Sequence, residues 1–385
     1  MGDKIRILTI GHSYVVALNR AIVREVARDP DFEVTVAAPS FFHGDLHDLM
    51  LEPEPEGSPV RLVPLDVRWS RRIHVFHYHD RPLRRLIRQD GFDLVHAWEE
   101  PYVFAGYQIA RGLAGTRVPF CFWTAQNLTK RLPPPFRHFE RATLARAQGW
   151  IAGGRLVYEA MRTRGYPADC GRVLTLAVDT AAFEPPDGPR RAATQEGLLL
   201  RPPVIGYMGR LTPEKGLRVL MRAMEHVGGD RPWSLLLLGS GPMRGEVLRW
   251  AQARGWADRV RVALARHDEV PAYLGAMDLL VAPSQTTRHW KEQFGRMLIE
   301  AFACGVPVIG SDSGEIPHVI GDAGRVVPER DVRAWGDALV ELLERPDLRA
   351  ELARRGRCRS QHYSATSVAE QYRSYYRWLA EQPVP

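Results

Sequence analysis

Short apolar runs alternate with amphipathic, helix-like stretches along most of the chain. In the first half these runs are short and nearly continuous in apolar residues, which is typical of strands buried on both faces of a sheet. Alternation of such strands with helical patterns predicts an α/β fold with parallel sheets. The predicted strands of the first half are residues 5–10, 32–38, 60–64, 92–97, 118–124 and 150–152.

The second half repeats this pattern after a change in composition. Residues 184–203 contain five prolines, two glycines and several charges, which is typical of a linker between domains. We therefore predict one Rossmann-like domain at 1–183, a linker at 184–203, a second Rossmann-like domain at 204–364 and a carboxyl-terminal helix at 365–385. That helix carries aromatic residues at a spacing typical of core packing: Tyr372, Tyr375, Tyr376 and Trp378.

Charge and composition narrow the classes of partner. The 385 residues suffice for two cores, and 45% hydrophobic with 25% charged residues is typical of a soluble globular protein. The formal net charge of +7 favours anionic partners such as nucleotide-sugars, lipid phosphates, membrane surfaces or nucleic acid. A mildly basic enzyme rich in arginine is the alternative interpretation.

Cysteine spacing and the amino terminus indicate the compartment. The cysteines are far apart and none belongs to a C-x-x-C pair, which argues against a zinc site or a disulfide framework: Cys121, Cys170, Cys304 and Cys358. Polar residues after Ile10 interrupt any signal-peptide core, and no run approaches eighteen apolar residues. We expect a cytoplasmic protein in a reducing compartment, resting peripherally on the inner face of the membrane.

Candidate chemistry concentrates in the second half. Glu292 and Glu300 have seven residues between them, and Gly295 precedes a helix predicted from about Gly295 to Cys304. A helix amino terminus presents free backbone N–H groups and a positive dipole end, which suit phosphate, and carboxylates there can accept hydrogen bonds from sugar hydroxyls. Taken alone, the two glutamates are more simply interpreted as surface residues of a capped, solvated helix.

A second stretch, about eighty residues upstream, supplies cations. Arg210 and Lys215 lie in a glycine-bounded loop that follows the strand predicted at 204–208. A guanidinium binds phosphate oxygens in a planar fork, and an ammonium adds a point charge. No D-x-D metal signature occurs in a suitable loop. We therefore expect these cations and the helix terminus to neutralise phosphate with no metal and no cofactor.

Together the two stretches resemble the donor site of family-4 retaining glycosyltransferases, the glycosyl transferases group 1, which have the GT-B fold. The G-R-x4-K-G element at 209–216 and the E-x-F-G-x2-L-x-E-A-x-A-x-G-x-P-V element at 292–308 both match, and the likeness extends from the first strand to the last helix. The resemblance implies two Rossmann-like domains facing a central cleft. It also implies that the carboxyl-terminal helix crosses back to the first domain.

The resemblance also implies roles for individual residues. Glu292 would hold donor-sugar hydroxyls and Glu300 the ribose hydroxyls, and Arg210, Lys215 and Glu292 would form the catalytic set. The residues implied to bind the donor are Gly209, Arg210, Lys215, Arg266, Glu292, Phe294, Gly295, Arg296, Met297, Leu298 and Glu300.

Candidates for the acceptor side follow strands of the first half, because strand ends of open α/β sheets line the ligand crevice. They are Gly11, His12, Glu99, Gln126 and Asn127. A polar residue after a first strand often only caps a helix, and Glu99 equally suits a helix start. Many family members carry a histidine in a T-x-H pattern where this chain has Gln126. Glutamine cannot titrate, so we assign it no general-base role.

A basic, aromatic stretch at 68–81 has two interpretations. It is an ordinary loop and helix start, or it holds a phosphorylated lipid or an anionic bilayer surface.

The sequence thus predicts a metal-independent retaining glycosyltransferase of EC class 2.4. It would move a sugar from a nucleoside-diphosphate sugar to a glycan or lipid-linked acceptor in polysaccharide or cell-envelope biosynthesis, with no nucleic-acid partner. A catalytically silent nucleotide-sugar-binding protein and a GT-B epimerase are the alternatives, since a fold alone does not give a function.

Overall fold

The structure is a computed structural model and describes residues 4–44, 48–89 and 91–384. The chain forms two compact units, Met1–Leu176 with Ala365–Pro385, and Ala177–Ser364. The first boundary lies a few residues before the predicted end of the first domain at 183.

The strands and helices follow the predicted alternation. The strands are β1 Ile5–Ile10, β2 Phe32–Pro39, β3 Phe41–His43, β4 Asp48–Met50, β5 Arg61–Leu65, β6 Val67–Arg68, β7 His77–Tyr78, β8 Leu94–Ala97, β9 Phe120–Thr124, β10 Gly149–Ala152, β11 Gly171–Val173, β12 Val204–Met208, β13 Ser234–Leu238, β14 Val260–Ala263, β15 Leu279–Ala282, β16 Val308–Ser311 and β17 Arg325–Val327. The helices are α1 Ala21–Ala27, α2 Asp80–Gln89, α3 Phe104–Gly112, α4 Phe136–Arg146, α5 Arg155–Thr163, α6 Gly188–Gly197, α7 Leu217–Val227, α8 Arg244–Ala253, α9 Val270–Gly275, α10 Arg296–Ala303, α11 Ile316–Ile320, α12 Val332–Glu344, α13 Pro346–Ser360 and α14 Ala365–Ala380. Short 3₁₀ turns lie at His12–Val15, Ala17–Arg20, Pro213–Lys215 and Gln361–Tyr363.

The first unit is built on a seven-stranded parallel sheet in the order β11-β10-β9-β8-β1-β2-β5. Its strands β8 and β10, neither of which lies at an edge of the sheet, are buried along their whole length, as expected for strands covered on both faces. Two antiparallel pairs, β3 with β4 and β6 with β7, accompany this sheet. The order places the carboxyl ends of β9, β8 and β1 side by side.

Helix α14 packs on the first unit, as predicted. Tyr372 and Tyr376 are fully buried, and the Tyr375 hydroxyl donates to the carbonyl of Cys170 at 2.6 Å. The Tyr376 hydroxyl lies 2.9 Å from Nδ1 of His96, a residue of β8. Burial lowers the pKa of His96 to about 3, so this histidine is neutral and serves as an anchor for the helix.

A buried arginine fixes the turn that follows β1. Arg20 has no exposed surface, and it donates to the Glu54 carboxylate and to the carbonyls of Tyr14, Glu52 and Pro53. A buried guanidinium with all these acceptors is satisfied, and it connects the 3₁₀ turn at His12–Val15 to residues 52–54.

The second unit is built on a six-stranded parallel sheet in the order β14-β13-β12-β15-β16-β17. Together the two sheets confirm the predicted pair of Rossmann-like α/β domains. Within the described residues, no helix combines the length and apolar content needed to cross a membrane.

The stretch predicted as a linker differs from an irregular connection. Helix α6 occupies its centre, with Asp187 accepting from the backbone N–H of Arg190 at 2.8 Å as an N-cap. Gln195 donates to the carbonyl of Ala276 at 2.9 Å, and Arg191 pairs with Asp278 at 2.7 Å. The Asp-Gly-Pro sequence therefore begins a helix that is docked on the second unit, because proline fits the first helical turn as well as it fits a loop.

Candidate active site

Two glycines shape the loop between β12 and α7. Gly209 has φ +150° and Gly216 has φ +75°, conformations that L side chains rarely adopt. A Cβ on Gly216 would lie 1.7 Å from the carbonyl oxygen of Pro283, so the loop must approach that backbone closely. The hydroxyl of Tyr207 donates to the carbonyl of Arg210 at 2.6 Å. The loop that carries Arg210 and Lys215 is thus held at both ends.

Lys215 and Glu292 meet, although 77 positions separate them. The Lys215 Nζ donates to Oε2 of Glu292 at 2.7 Å, and the Ser284 hydroxyl donates to the same oxygen at 2.8 Å. Both charged side chains are largely buried, 13% and 9% exposed. The Lys215 Nζ also lies 4.7 Å from the centre of the Trp290 ring, a cation–π distance. The sequence analysis did not assign Ser284 or Trp290 to the site. Their nearness to Glu292 in the sequence is the signal that could have found them.

Arg210 lies near the same loop but more in solvent. Its guanidinium is 3.5 Å from the Glu214 carboxylate and its side chain is 41% exposed. The Thr212 hydroxyl donates to Glu214 at 2.7 Å. Glu214, four residues further along the chain, therefore helps to orient the Arg210 guanidinium.

Helix α10 begins where the sequence predicted. Gly295 is its N-cap, with φ +85°, and the helix runs from Arg296 to Ala303. Phe294 is buried and packs edge-on against Tyr363, with ring centroids 5.8 Å apart. The side chains of Met297 and Leu298 are also buried.

Glu300 is a buried carboxylate in the middle of α10. Its side chain is 6% exposed, and within the described part of the chain it accepts no hydrogen bond. Burial raises the pKa of Glu300 to about 7, against the opposing charge of Arg296. A buried polar group without partners is costly, so such a group is a candidate for ligand binding.

Arg266 makes its contacts with its own sequence neighbours, Asp268 and Glu269. It follows β14, its side chain is 75% exposed, and its guanidinium makes a two-pronged contact with Asp268 at 3.1 and 2.7 Å. The structure therefore places Arg266 on a surface turn at the carboxyl end of a strand, held by its own neighbour.

In the first unit, the loops after β1 and β8 approach closely. A Cβ on Gly11 would lie 2.8 Å from Cβ of Trp98, so only glycine fits between the two loops. The next residues then meet: the backbone N–H of His12 donates to Oε1 of Glu99 at 2.6 Å, and Nδ1 of His12 lies 2.7 Å from Oε2. The Tyr78 hydroxyl donates to Oε1 at 3.0 Å. Glu99 is 2% exposed.

The loop after β9 is held by the next carboxylate along the chain. Glu100 accepts from the Thr124 hydroxyl at 2.6 Å and from the backbone N–H of Ala125 at 2.7 Å. Burial raises the pKa of Glu100 to about 7, although both hydrogen bonds oppose this shift. Gln126 and Asn127, which this loop carries, are themselves buried. Glu99 and Glu100 therefore serve different loops.

Metal-ligating residues do not cluster in the part of the chain that the structure describes: it holds no group of three or more His, Cys, Asp or Glu side chains suited to a metal ion.

Comparisons with known proteins define the class. The sequence model described as Glycosyl transferases group 1 matches residues 190–359, and the model described as Glycosyltransferase Family 4 matches residues 15–182. The crystal structure of Anabaena HepE in complex with UDP and glucose superposes with a TM-score of 0.73 at 17% identity, covering 96% of this chain and 98% of that one. The fold is that of GT-B glycosyltransferases.

Curated relatives place the chain within that class. It is 30% identical over 317 residues to the D-inositol 3-phosphate glycosyltransferase of Xylanimonas cellulosilytica, covering 78% of this chain and 70% of the relative. It is 26% identical over 315 residues to the lipopolysaccharide core biosynthesis mannosyltransferase LpsB of Rhizobium meliloti, covering 74% and 84%. Several other relatives are matched over only 34–55% of their length. The chain belongs to the family-4, group 1 glycosyltransferases.

Proposed function

We propose that the chain transfers a sugar from a nucleoside-diphosphate sugar to a glycan or lipid-linked acceptor, with retention of anomeric configuration and without a metal ion. The observation that carries the proposal is the Lys215–Glu292 pair, which joins the cationic loop to the segment that begins α10. The relatives' names support the donor and acceptor classes: HepE was crystallised with UDP and glucose, and LpsB is a lipopolysaccharide core mannosyltransferase.

The proposed role of the cations follows from the charge of the leaving group. A nucleoside diphosphate leaves with two negative phosphates, and fixed positive groups stabilise charge that develops there. Lys215 is already held in place by Glu292, so little reorganisation is needed when phosphate binds. Arg210 and the backbone N–H groups at the start of α10 complete the proposed phosphate site.

The two glutamates take different parts of the donor in this proposal. Glu292 positions Lys215 and binds hydroxyls of the transferred sugar. Glu300 is buried without a hydrogen-bond partner in the described residues, and the paired hydroxyls of a ribose would satisfy it.

Substitution of the two cations tests the proposal. Arg210→Ala and Lys215→Ala should each lower transfer by about 100-fold, as loss of a transition-state donor typically does. Both variants should also weaken calorimetric binding of UDP or GDP, whichever the wild type binds, while circular dichroism shows a native fold. Activity that a chelator abolishes and a divalent ion restores would contradict the metal-independent part.

The same assays separate the alternative functions. A catalytically silent binding protein would bind the nucleotide-sugar and release no nucleoside diphosphate. An epimerase would change the sugar with no glycoside formed.

We further propose that the first unit rests on an anionic membrane surface. Trp69 is 68% exposed and Ile73 is 40% exposed, in a segment that also carries exposed Arg71 and Arg72. Exposed apolar side chains beside arginines suit the boundary between lipid headgroups and acyl chains.

A further inference from the structure

Glu329 lies on the connection between β17 and α12, outside the stretches assigned to the donor. Its side chain is 17% exposed, and its carboxylate contacts the segment at 283–290, which follows β15. We infer that Glu329 is a positioning residue for the proposed phosphate site, and that it acts by fixing the segment against which the Lys215 loop packs. This inference rests on the proposed sugar transfer, and every residue that it uses belongs to the second unit.

Glu329 holds the 283–290 segment through both its side chain and its backbone. Its Oε2 accepts from the backbone N–H of Thr286 at 2.6 Å, and its backbone carbonyl accepts from the side-chain amide of Gln285. The backbone N–H of Glu329 donates to the Asp312 carboxylate at 2.8 Å, which fixes Glu329 to the loop after β16. A hydrogen bond to an ionised acceptor is stronger than one between neutral groups, so the Glu329 carboxylate restrains the backbone at Thr286.

The 283–290 segment contacts the Lys215 loop on both sides of the lysine. The backbone N–H of Gln285 donates at 2.7 Å to the carbonyl of Glu214, which precedes Lys215. A Cβ on Gly216, which follows Lys215, would lie 1.7 Å from the Pro283 carbonyl oxygen, so the two backbones are in close contact there. A displacement of the segment would therefore be passed to the lysine.

The far end of the segment reaches the Lys215 ammonium through an aromatic ring. The backbone N–H of Thr287 donates to the carbonyl of Trp290 at 2.8 Å, and the backbone N–H of Trp290 donates to the Thr287 hydroxyl at 3.0 Å. This closed turn places the centre of the Trp290 ring 4.7 Å from Nζ of Lys215. Because Thr287 directly follows the residue that Glu329 holds, the same contact determines where the turn and its ring lie.

Thr286 has further contacts, and they differ from that with Glu329 in charge or in exposure. The hydroxyls of Thr286 and Ser313 lie 3.0 Å apart and are neutral. The guanidinium of Arg330 donates to the Thr286 carbonyl at 3.2 Å, but the Arg330 side chain is 75% exposed, and exposed charges contribute little. Of these contacts, the one to Glu329 combines charge with burial, so its removal should displace the segment most.

Three single variants test the inference through calorimetric binding of UDP or GDP, whichever the wild type binds. Glu329→Ala removes the acceptor and should weaken binding about tenfold, because Lys215 loses its fixed position. Glu329→Gln keeps an oxygen that can accept from Thr286, and it should bind within about twofold of the wild type. Glu344→Ala is the matched control, since it removes a carboxylate that pairs with Arg231 at 3.0 Å on the surface of the same unit, and it should bind as the wild type.

A double-mutant cycle with Lys215 distinguishes positioning from general stabilisation. Glu329→Ala should cost about tenfold in affinity when Lys215 is present and less than about twofold when Lys215→Ala is already in place, because the group to be positioned is then gone. Equal losses in the two backgrounds, or folded Glu329→Ala with wild-type affinity, overturn the inference. Should Glu329→Ala not fold, Glu329→Asp replaces it in the cycle, because its shorter side chain keeps the charge but withdraws from Thr286.

Fluorine NMR of protein labelled with 5-fluorotryptophan gives a readout that needs no nucleotide. The resonance that is absent from Trp290→Phe belongs to Trp290. This resonance should shift in Glu329→Ala and keep its position in Glu329→Gln and in the Glu344→Ala control. A Trp290 resonance that Glu329→Ala leaves unchanged overturns the inference, and the proposed transfer stands. Wild-type protein that binds neither UDP nor GDP and turns over no sugar donor removes the proposed function, and the role of Glu329 at a phosphate site falls with it.

Discussion

At the scale of single residues, Glu292 and Glu300 are distinguished by their surroundings. Glu292 accepts hydrogen bonds from Lys215 and Ser284. Glu300, by contrast, is buried without a hydrogen-bond partner among the described residues. Glu300→Gln should therefore weaken the binding of both the sugar donor and the free nucleoside diphosphate, since both ligands carry a ribose. Glu292→Gln keeps a side-chain oxygen that can accept from Lys215, so it should leave the affinity for the free nucleotide nearly intact and lower the turnover of the sugar donor. A lost charge-assisted hydrogen bond is worth about 1.5–3 kcal/mol, roughly tenfold or more.

Calorimetry with the free nucleotide beside initial-rate kinetics gives the measurement for both variants. Equal losses of nucleotide affinity in the two would show that the carboxylates act as one nucleotide clamp, contrary to this assignment.

The raised pKa of Glu300 gives a pH dependence with a definite sign. Burial holds that pKa at about 7, and in the proposed donor site the ribose hydroxyls would donate to the ionised carboxylate. Nucleotide affinity should therefore have its full value above pH 7, where Glu300 is ionised. Below pH 7 it should fall by up to about tenfold per pH unit, because a proton competes with the ligand for the Glu300 carboxylate. Titration of affinity between pH 5.5 and 8.5 checks this. Glu300→Gln is the control, since its affinity should depend on pH only through the ionisation of the nucleotide itself. Identical affinity–pH profiles for the wild type and this variant would contradict the prediction.

At the scale of elements, the segment between β6 and α2 should govern membrane binding. Arg71 and Arg72 are exposed beside Trp69, and each basic group near an anionic surface contributes about 1 kcal/mol. We predict salt-sensitive binding to phosphatidylserine-containing vesicles, weakened about tenfold or more by Arg71→Glu with Arg72→Glu. Vesicle flotation at low and high salt measures it, with charge reversal at Arg354, an exposed arginine of α13, as the control. Protein that stays free of the vesicles at low salt would refute the idea.

Element-scale features also show which parts of the site the sequence could predict. The helix beginning at Gly295 was predicted because its signals are local: a glycine N-cap and an apolar face. The pairing of His12 with Glu99 was not, because these residues are 87 positions apart and meet only through the adjacency of β1 and β8. Helix α6 was missed because prolines and glycines mark both linkers and helix ends.

At the scale of the whole molecule, the strand alternation gave both parallel sheets, since buried parallel strands are continuous apolar runs. Strand order is not a local property, and it decides which loops meet. The order β9, β8, β1 brings together residues near 126, 99 and 12, and β12 beside β15 brings the loop of Lys215 to Pro283 and Ser284. In each unit, therefore, the strand order determines which of these side chains come into contact.

The central claim is that the protein transfers a sugar from a nucleoside-diphosphate sugar bound by the second unit. Product analysis tests this claim most directly. Wild-type protein and Lys215→Ala are incubated with α-linked UDP- or GDP-sugars and an octyl glycoside, and the products are examined by NMR spectroscopy. The account predicts one nucleoside diphosphate released for each α-glycoside formed by the wild type, and little of either with Lys215→Ala. Nucleotide binding without release, or a donor converted to its epimer with no glycoside, would contradict it.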